Sequence, residues 1–362
     1  VMQVILKNAL EPEWEAKFEP NSYGFRPSRN CQDAIDQCFT SLSWKRSSQW
    51  ILDADIKGAF DNIDHYSLLI KLKTFQKPIE KWLKAGYVEL KTYYETEAGT
   101  PQGGVISPLL CNVALHGMEK AFEKDTGINV IRYADDFIVT AKSKEQMESY
   151  VIPKLSQHLV QSGLELSQEK TRIVKIQEGF DFLGFNIRKY GKSPKKPQKL
   201  IIKPAKEKVV KFLQRVKEKV WEMRTAPQAK LISEINSMIR GWGNYYKHVV
   251  SKKTYSYVGH RLWKILWQWA KRRHPKKGRK WIADKYWKTF GKRNWVFSDG
   301  AYYLYNLPKV KIQRHIKIKG NASPYNGNLK EYFAKREADY LREQEDNKVH
   351  REVLKQQGYR CA

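Results

Sequence analysis

Val130-Ile131-Arg132-Tyr133-Ala134-Asp135-Asp136-Phe137-Ile138-Val139 sets two adjacent carboxylates between two short apolar runs. Both runs are rich in β-branched residues, which favour strands. The simplest connection is a hairpin with Asp135 and Asp136 at or near its turn. Neighbouring ionised acids repel, so a site that keeps both charged needs a cation. A hard divalent ion such as Mg²⁺ matches carboxylate oxygen. A solvated Asp-Asp turn explains this stretch equally well when taken alone, and the rest of the chain has to decide.

A second acidic stretch lies eighty residues earlier, Trp50-Ile51-Leu52-Asp53-Ala54-Asp55-Ile56-Lys57-Gly58-Ala59-Phe60-Asp61. Its alternation predicts a strand with Leu52, Ala54 and Ile56 toward a core and Asp53, Asp55 and Lys57 toward a cleft. Two acids on a largely buried strand are too costly without partners. A metal shared with Asp135 and Asp136 compensates them.

A third unusual stretch is Gly99-Thr100-Pro101-Gln102-Gly103-Gly104-Val105-Ile106-Ser107-Pro108. Paired glycines let backbone approach a ligand closely. Ser107 fits an N-cap and Pro108 the first helical position. Around these stretches the periodicity predicts helices over residues 1–18, 30–42 and 144–161, the second capped by Ser28 or Asn30. Strands are expected over 164–166, 173–176 and 180–187. Arg26 and Arg29, near a turn, read as surface residues or phosphate contacts. The pattern is an α+β sheet with helices packed on one side.

The 362 residues suffice for two or three domains with real cores. No apolar run is long enough to span a bilayer, so no membrane partner is expected. Cys31, Cys38, Cys111 and Cys361 form no metal-type pair and no dense disulfide pattern, which points to a reducing, intracellular setting. The chain starts inside a helix-like run, so an upstream piece is expected. Its charge is uneven. Residues 1–185 carry 22 basic and 25 acidic side chains, and residues 186–320 carry 37 and 6, a net +31. That basic segment also holds eight of the twelve tryptophans. Cations among aromatics suit phosphate contact and base stacking.

Taken in order, these stretches resemble the reverse transcriptases encoded by group II introns. Trp50 to Asp61 is similar to the family's first acid motif, Pro101 to Leu115 to its PQGG…SP motif, and Tyr133 to Asp136 to its Y-A-D-D box. Gly163 to Thr171 and Phe182 to Phe185 are similar to two later motifs. The resemblance implies a right-hand polymerase palm with partial fingers, and it names roles. Asp55, Asp135 and Asp136 become the catalytic acids. With Ile56 they form the set for two Mg²⁺ ions. Phe60 becomes a steric gate against a ribose 2′-OH. Gln102 and Gly103 line the dNTP and template, and Lys170 matches a lysine that protonates pyrophosphate. The basic fingers strands that precede the family's first helix are absent.

The basic half opens at a linker, Pro194-Lys195-Lys196-Pro197. Helices are predicted over 205–224, 227–240 and 255–273, the middle one stopped by Gly241-Trp242-Gly243. They resemble the family's thumb, or maturase domain. The densest cationic run contributes Lys271, Arg272, Arg273, Lys276, Lys277, Arg279 and Lys280 as nucleic-acid contacts. A hairpin is predicted around Asp299-Gly300. A strand over 310–319, with Lys317 and Lys319 on its basic face, looks like part of the family's DNA-binding region. A charged helix is expected over 329–357. The lone Cys361 cannot build the zinc-bound nuclease domain that opens here in many relatives.

The expected segmentation is fingers and palm over 1–190, thumb and maturase domain over 191–292, DNA-binding region over 293–345, and a nuclease remnant or tail over 346–362. The expected function is RNA-directed DNA synthesis for a mobile group II intron, with splicing assistance. The partners are intron RNA and target DNA with its primer, in a cytoplasmic ribonucleoprotein, and a homodimer stays open. Two alternatives remain: an RNA-binding splicing cofactor with a dead palm, and a reverse transcriptase recruited to another host system.

Overall fold

The alternation over residues 50–56 produces a strand because one of its faces is wholly apolar. The computed structural model describes residues 1–89, 92–101, 103–122, 127–191 and 198–344. The chain divides into two compact units. One holds residues 1–183, 187–200 and those from 315 on; the other holds 184–186 and 201–314.

In the first unit α1 (Met2–Lys17) and α2 (Cys31–Leu42) precede β1 (Trp50–Ala54). Asn30 caps α2 through a capping box with Asp33. Next come α3 (His65–Leu72), α4 (Gln76–Leu83), the short pair β2 (Tyr87–Glu89) and β3 (Thr92–Tyr94), and α5 (Ser107–Leu115). Ser107 is not the cap of α5. It is the helix's first residue, and its hydroxyl donates to the Pro101 carbonyl at 2.8 Å. The hairpin is present as β4 (Val130–Tyr133) and β5 (Asp136–Ala141). The predicted helix after it runs as α6 (Lys144–Gln146), one π turn, and α7 (Ile152–Val160). The irregular turn lies just ahead of Pro153, which has no N–H to give.

β1 sits between β5 and β6 (Arg172–Lys175), in the antiparallel order β4-β5-β1-β6. Register puts Leu52, Ala54, Phe137 and Val139 on one face, where they join the core with α1, α3, α5 and α7. Ile51, Ile131 and Ile138 alternate to the other face and are also buried, and α2 contacts β4. The sheet is therefore covered on both faces rather than one. Beyond Gly163, only Leu166 bridges to Ile56; no strand forms over 164–166. β7 (Phe180–Phe182), β8 (Phe185–Tyr190) and β9 (Lys199–Pro204) form a separate sheet in that order. The linker Pro194 to Pro197 lies outside the described residues.

The second unit holds α8 (Lys206–Glu222), α9 (Gln228–Tyr246), α10 (Lys252–Arg273) and α11 (Arg279–Tyr286). Gly241 and Gly243 do not stop α9, although each glycine costs a helix about 1 kcal/mol. Trp242 stacks on Phe212 at 4.7 Å. A Cβ at Gly243 would lie 2.7 Å from a Leu307 methyl, so Leu307 packs close against the helix there. β10 (Trp287–Phe290) and β11 (Arg293–Phe297) form a hairpin through Gly291. Asp299-Gly300 does turn the chain, with Asp299 Oδ1 accepting from Ala301 and Tyr302, but the return limb is one bridge between Ser298 and Tyr303.

Residues 310–319 form no strand; no neighbouring backbone offers them a ladder. The segment instead crosses from one unit to the other, and residues 315–344, including α12 (Lys330–Gln344), belong with the first unit. Asp33 on α2 anchors them. Its fully buried carboxylate accepts from His315 at 2.9 Å, the Ile318 N–H at 2.8 Å and Arg336 at 3.1 Å. Burial works to raise its pKa, but the His315 hydrogen bond and the nearby charges hold it below the usual carboxylate value. Arg26 and Arg29 are likewise inside. Arg26 grips Glu15 with two nitrogens at 2.8 and 2.9 Å, and Arg29 donates to the Pro20 and Gly320 carbonyls. Neither is free to hold phosphate.

Removing one partner of a buried charge network typically costs about 3–5 kcal/mol. Asp33→Ala is therefore expected to destabilise the first unit by about that amount in urea unfolding, and to open residues 315–344 to limited proteolysis. Unchanged cleavage there would show that the segment is held by something else.

Candidate active site

The register Ala54–Phe137 and Asp53–Ile138 continues one step to place Asp55 opposite Asp136, at the end of the sheet where β4 turns into β5. Asp135 occupies that turn. Asp53, Asp55 and Asp136 alternate to the face away from the main core. Asp55, eighty residues before Asp135, thus meets the Asp135-Asp136 pair at one sheet end. Lys170 Nζ reaches Asp55 Oδ2 at 2.5 Å, and Arg172 reaches Asp53 at 3.0 Å. Burial and then the charges of Asp135, Asp55 and Asp53 push the Asp136 carboxyl up to about 6. Burial also raises Asp53, against the pull of Arg172. Among the described residues no three His, Cys, Asp or Glu side chains stand close enough together to hold a metal as they are. The donor set is nonetheless all carboxylate oxygen, its members repel one another, and an ammonium already sits on Asp55. Those features fit a hard cation.

Sequence reasoning missed what holds this turn in shape. Ala134, directly before Asp135, has φ +58°, a left-handed conformation that a non-glycine residue seldom adopts. Arg132 lies on the core face beneath it, 2% exposed, and donates to the Ala134 carbonyl at 3.1 Å and to Asn112 Oδ1 at 2.9 Å. Asn112, on α5, passes the chain of bonds to the Gly24 carbonyl at 2.8 Å. A Cβ at Gly24 would stand 2.3 Å from the Ala134 nitrogen, so this glycine is required by contact. The signals were an arginine inside an apolar run and an Asn-Ser-Tyr-Gly turn; neither points anywhere without the fold.

Around the acids, Phe60 follows β1 and meets Phe25 edge-on at 6.1 Å. The Phe60 carbonyl accepts from Thr100, which ties the glycine-rich loop to the acid strand. Gly103 has φ +85° and open space where a side chain would stand. Gln102 lies outside the described residues. Ile56 is buried and bridges Leu166.

Two family models match the chain. Residues 1–187 match the family model for reverse transcriptase (RNA-dependent DNA polymerase), and residues 209–287 match the group II intron maturase-specific domain. The chain belongs to the group II intron-encoded reverse transcriptases. It is 28% identical to the group II intron-encoded protein LtrA of Lactococcus lactis subsp. cremoris, over 68% of this chain and 56% of that protein. It is 28% identical to protein YkfC of Escherichia coli K12, over 52% and 60%, and 26% identical to an uncharacterized 91 kDa protein in a cob intron of Schizosaccharomyces pombe, over 69% and 40%. The chain spans about half the length of the curated relatives it matches.

Asp55, Asp135 and Asp136 fall inside the first match and the cationic run inside the second. The run ends α10 and opens α11. Lys271, Arg272, Lys276, Lys277, Arg279 and Lys280 are exposed. Arg272 lies over Trp221 at 4.1 Å and Lys277 over Trp281 at 5.3 Å. Arg273 differs, since it donates to the Arg224 and Ala226 carbonyls. Lys317 bonds Gln37 and Lys319 covers Tyr332, so both are engaged with the first unit. Among the described residues no helix is long and apolar enough to cross a membrane.

The raised carboxyl of Asp136 gives a signed expectation. Because the folded state keeps this proton up to about pH 6, ionising it lowers stability as pH rises through that window. Without divalent cations, Asp136→Asn should raise the melting temperature near neutral pH. Asp136 is partly in solvent, so the gain is about 1–3 °C. Well below the folded pKa the gain should vanish. A variant that melts lower than wild type near neutral pH would contradict the mutual repulsion.

Proposed function

We propose that this chain is the polymerase and RNA-gripping part of a protein that copies its own intron. In this reading it extends a DNA primer on an intron RNA template at a DNA target, and it helps the intron fold and splice. Residues 1–190 act as palm with partial fingers, and 191–292 as thumb and maturase domain. The observation that carries the reading is the meeting of Asp55, Asp135 and Asp136 at one sheet end, with the Lys170 ammonium on Asp55.

Asp55, Asp135 and Asp136, with Ile56 beside them, would hold two Mg²⁺ ions, which activate an attacking 3′-hydroxyl and stabilise the pyrophosphate leaving group when bound. The chain's own residues do the rest. Arg132 and Asn112 keep the acid turn in its left-handed shape. Phe60 stands where a ribose 2′-OH would fall and so favours dNTP. Gly103 leaves room for nucleotide and template at the backbone. Lys170, once displaced from Asp55, is the donor for the leaving pyrophosphate. The 271–280 cations neutralise RNA phosphates, each contact steepening log K against log salt by roughly 0.7–0.9.

Chemistry and RNA grip then reside in different places, and they separate by mutation. Asp135→Asn should make no cDNA in primer extension, yet bind intron RNA and promote its splicing at low Mg²⁺. Neutralising Lys276, Lys277, Arg279 and Lys280 together should flatten the salt slope and impair splicing more than extension of a saturating primer-template. If folded, RNA-bound Asp135→Asn fails in splicing as well as synthesis, the division is wrong.

Phe60→Val should relax exclusion of ribonucleotides by about tenfold, equal to ~1.4 kcal/mol of relieved clash. The ratio of dNTP to rNTP incorporation measures it, and an unchanged ratio would reduce Phe60 to a packing residue.

A further inference from the structure

Four indole rings gather on α10 and the β10–β11 hairpin of the second unit. Trp263 and Trp267, one turn apart, stack with centres 5.4 Å apart and planes 12° from parallel. Trp287 lies 5.1 Å from Trp267, and Trp295 lies 6.2 Å from Trp263. Trp295 is 56% exposed, and its backbone is held at φ +61°. A bulky residue rarely adopts that conformation. Folding alone does not call for a strained tryptophan facing water.

Beside the rings is a cavity of about 130 Å³, lined in part by Trp263, Trp287, Trp295, Arg293, Asn306 and Pro308. That is the scale of a single ring, since an apolar cavity of about 150 Å³ takes up benzene. The lining is not purely apolar. The Arg293 guanidinium stands 3.2 Å from the Asn306 amide. An occupant that completes this site is flat and tolerates a guanidinium at its edge. Exposed Lys264 and Lys292 adjoin these rings in sequence, and residues 186–320 are net +31. The surrounding charge calls for phosphate.

We infer that this tryptophan cavity takes one unpaired nucleobase of a single-stranded RNA segment. The inference rests on the RNA-binding reading above and adds a base-dependent contact to it. An uncharged proline-rich peptide would also suit aromatic walls, but it leaves the cations without partners.

The test uses the full chain and two labelled RNA oligomers of equal length and charge, one an oligouridylate and the other abasic, followed by fluorescence anisotropy. Wild type should prefer the oligouridylate by about tenfold, the scale of one base stack. W295A should lose that preference, keep its affinity for the abasic oligomer, and keep its salt slope, because no phosphate contact is removed. W295F should restore most of the preference. Equal loss on both oligomers, or none, overturns the inference and leaves RNA binding standing. Failure of wild type to bind either oligomer overturns both. If W295A does not fold, the wild-type preference decides alone, and equal affinity for the two oligomers overturns the inference. Capture of a polyproline peptide with no effect of the base would assign the cavity to a protein partner instead.

Discussion

Arg132 is the residue on which the acid turn depends. A guanidinium that is 2% exposed is costly to bury, and here only part of its donor set is met. What it does meet is specific: the carbonyl of the strained Ala134 and the amide of Asn112, which in turn fixes Gly24. An apolar residue of equal volume would fill the space and leave the turn free to relax toward an ordinary hairpin. The buried charge thus maintains a shape that the local sequence does not prefer. Its placement on the core face, with the acids on the opposite face, follows from the two-residue period of the strands.

Above that support, like charges are pressed together. Asp136 responds by holding its proton to about pH 6, and Asp55 and Asp53 respond by recruiting Lys170 and Arg172 from the loop and strand after Gly163. Both side-chain partners are largely in solvent. Exposed pairs are weak, so they neutralise the acids without locking them. A buried, bidentate partner such as the one Arg26 gives Glu15 would have stabilised the site and closed it.

The parts of this fold that were legible in the sequence are those set by local period. The strand at residues 50–54, the acid hairpin and the helix over 255–273 emerge as read, and of the two caps offered for the second helix Asn30 is the one used. What stayed hidden depends on partners distant in the chain. Arg26 and Arg29 look like surface residues until Glu15 and Gly320 are brought to them. Gly241 and Gly243 look like a stop until Phe212 and Leu307 reward a continued helix. The alternation over 310–319 looks like a strand, but alternation gives only a face, and a strand also needs a neighbour to bond. Asp33, 282 residues from His315, carries no sign in sequence that it will end that segment.

That same crossing bears on how charge is distributed. Sequence alone assigns Lys317 and Lys319 to a cationic arm, but both are engaged with Gln37 and Tyr332 of the first unit. The cations of residues 271–280 are different in kind. They cluster where α10 gives way to α11, and Arg272 and Lys277 rest on indole faces rather than on acids. A cation on a ring keeps its net charge, whereas one on a carboxylate is neutralised. Over residues 201–314 only 6 acids accompany 29 basic side chains, so the second unit cannot neutralise itself. Its aromatic rings orient that charge without cancelling it, which is the arrangement a polyanion needs to find.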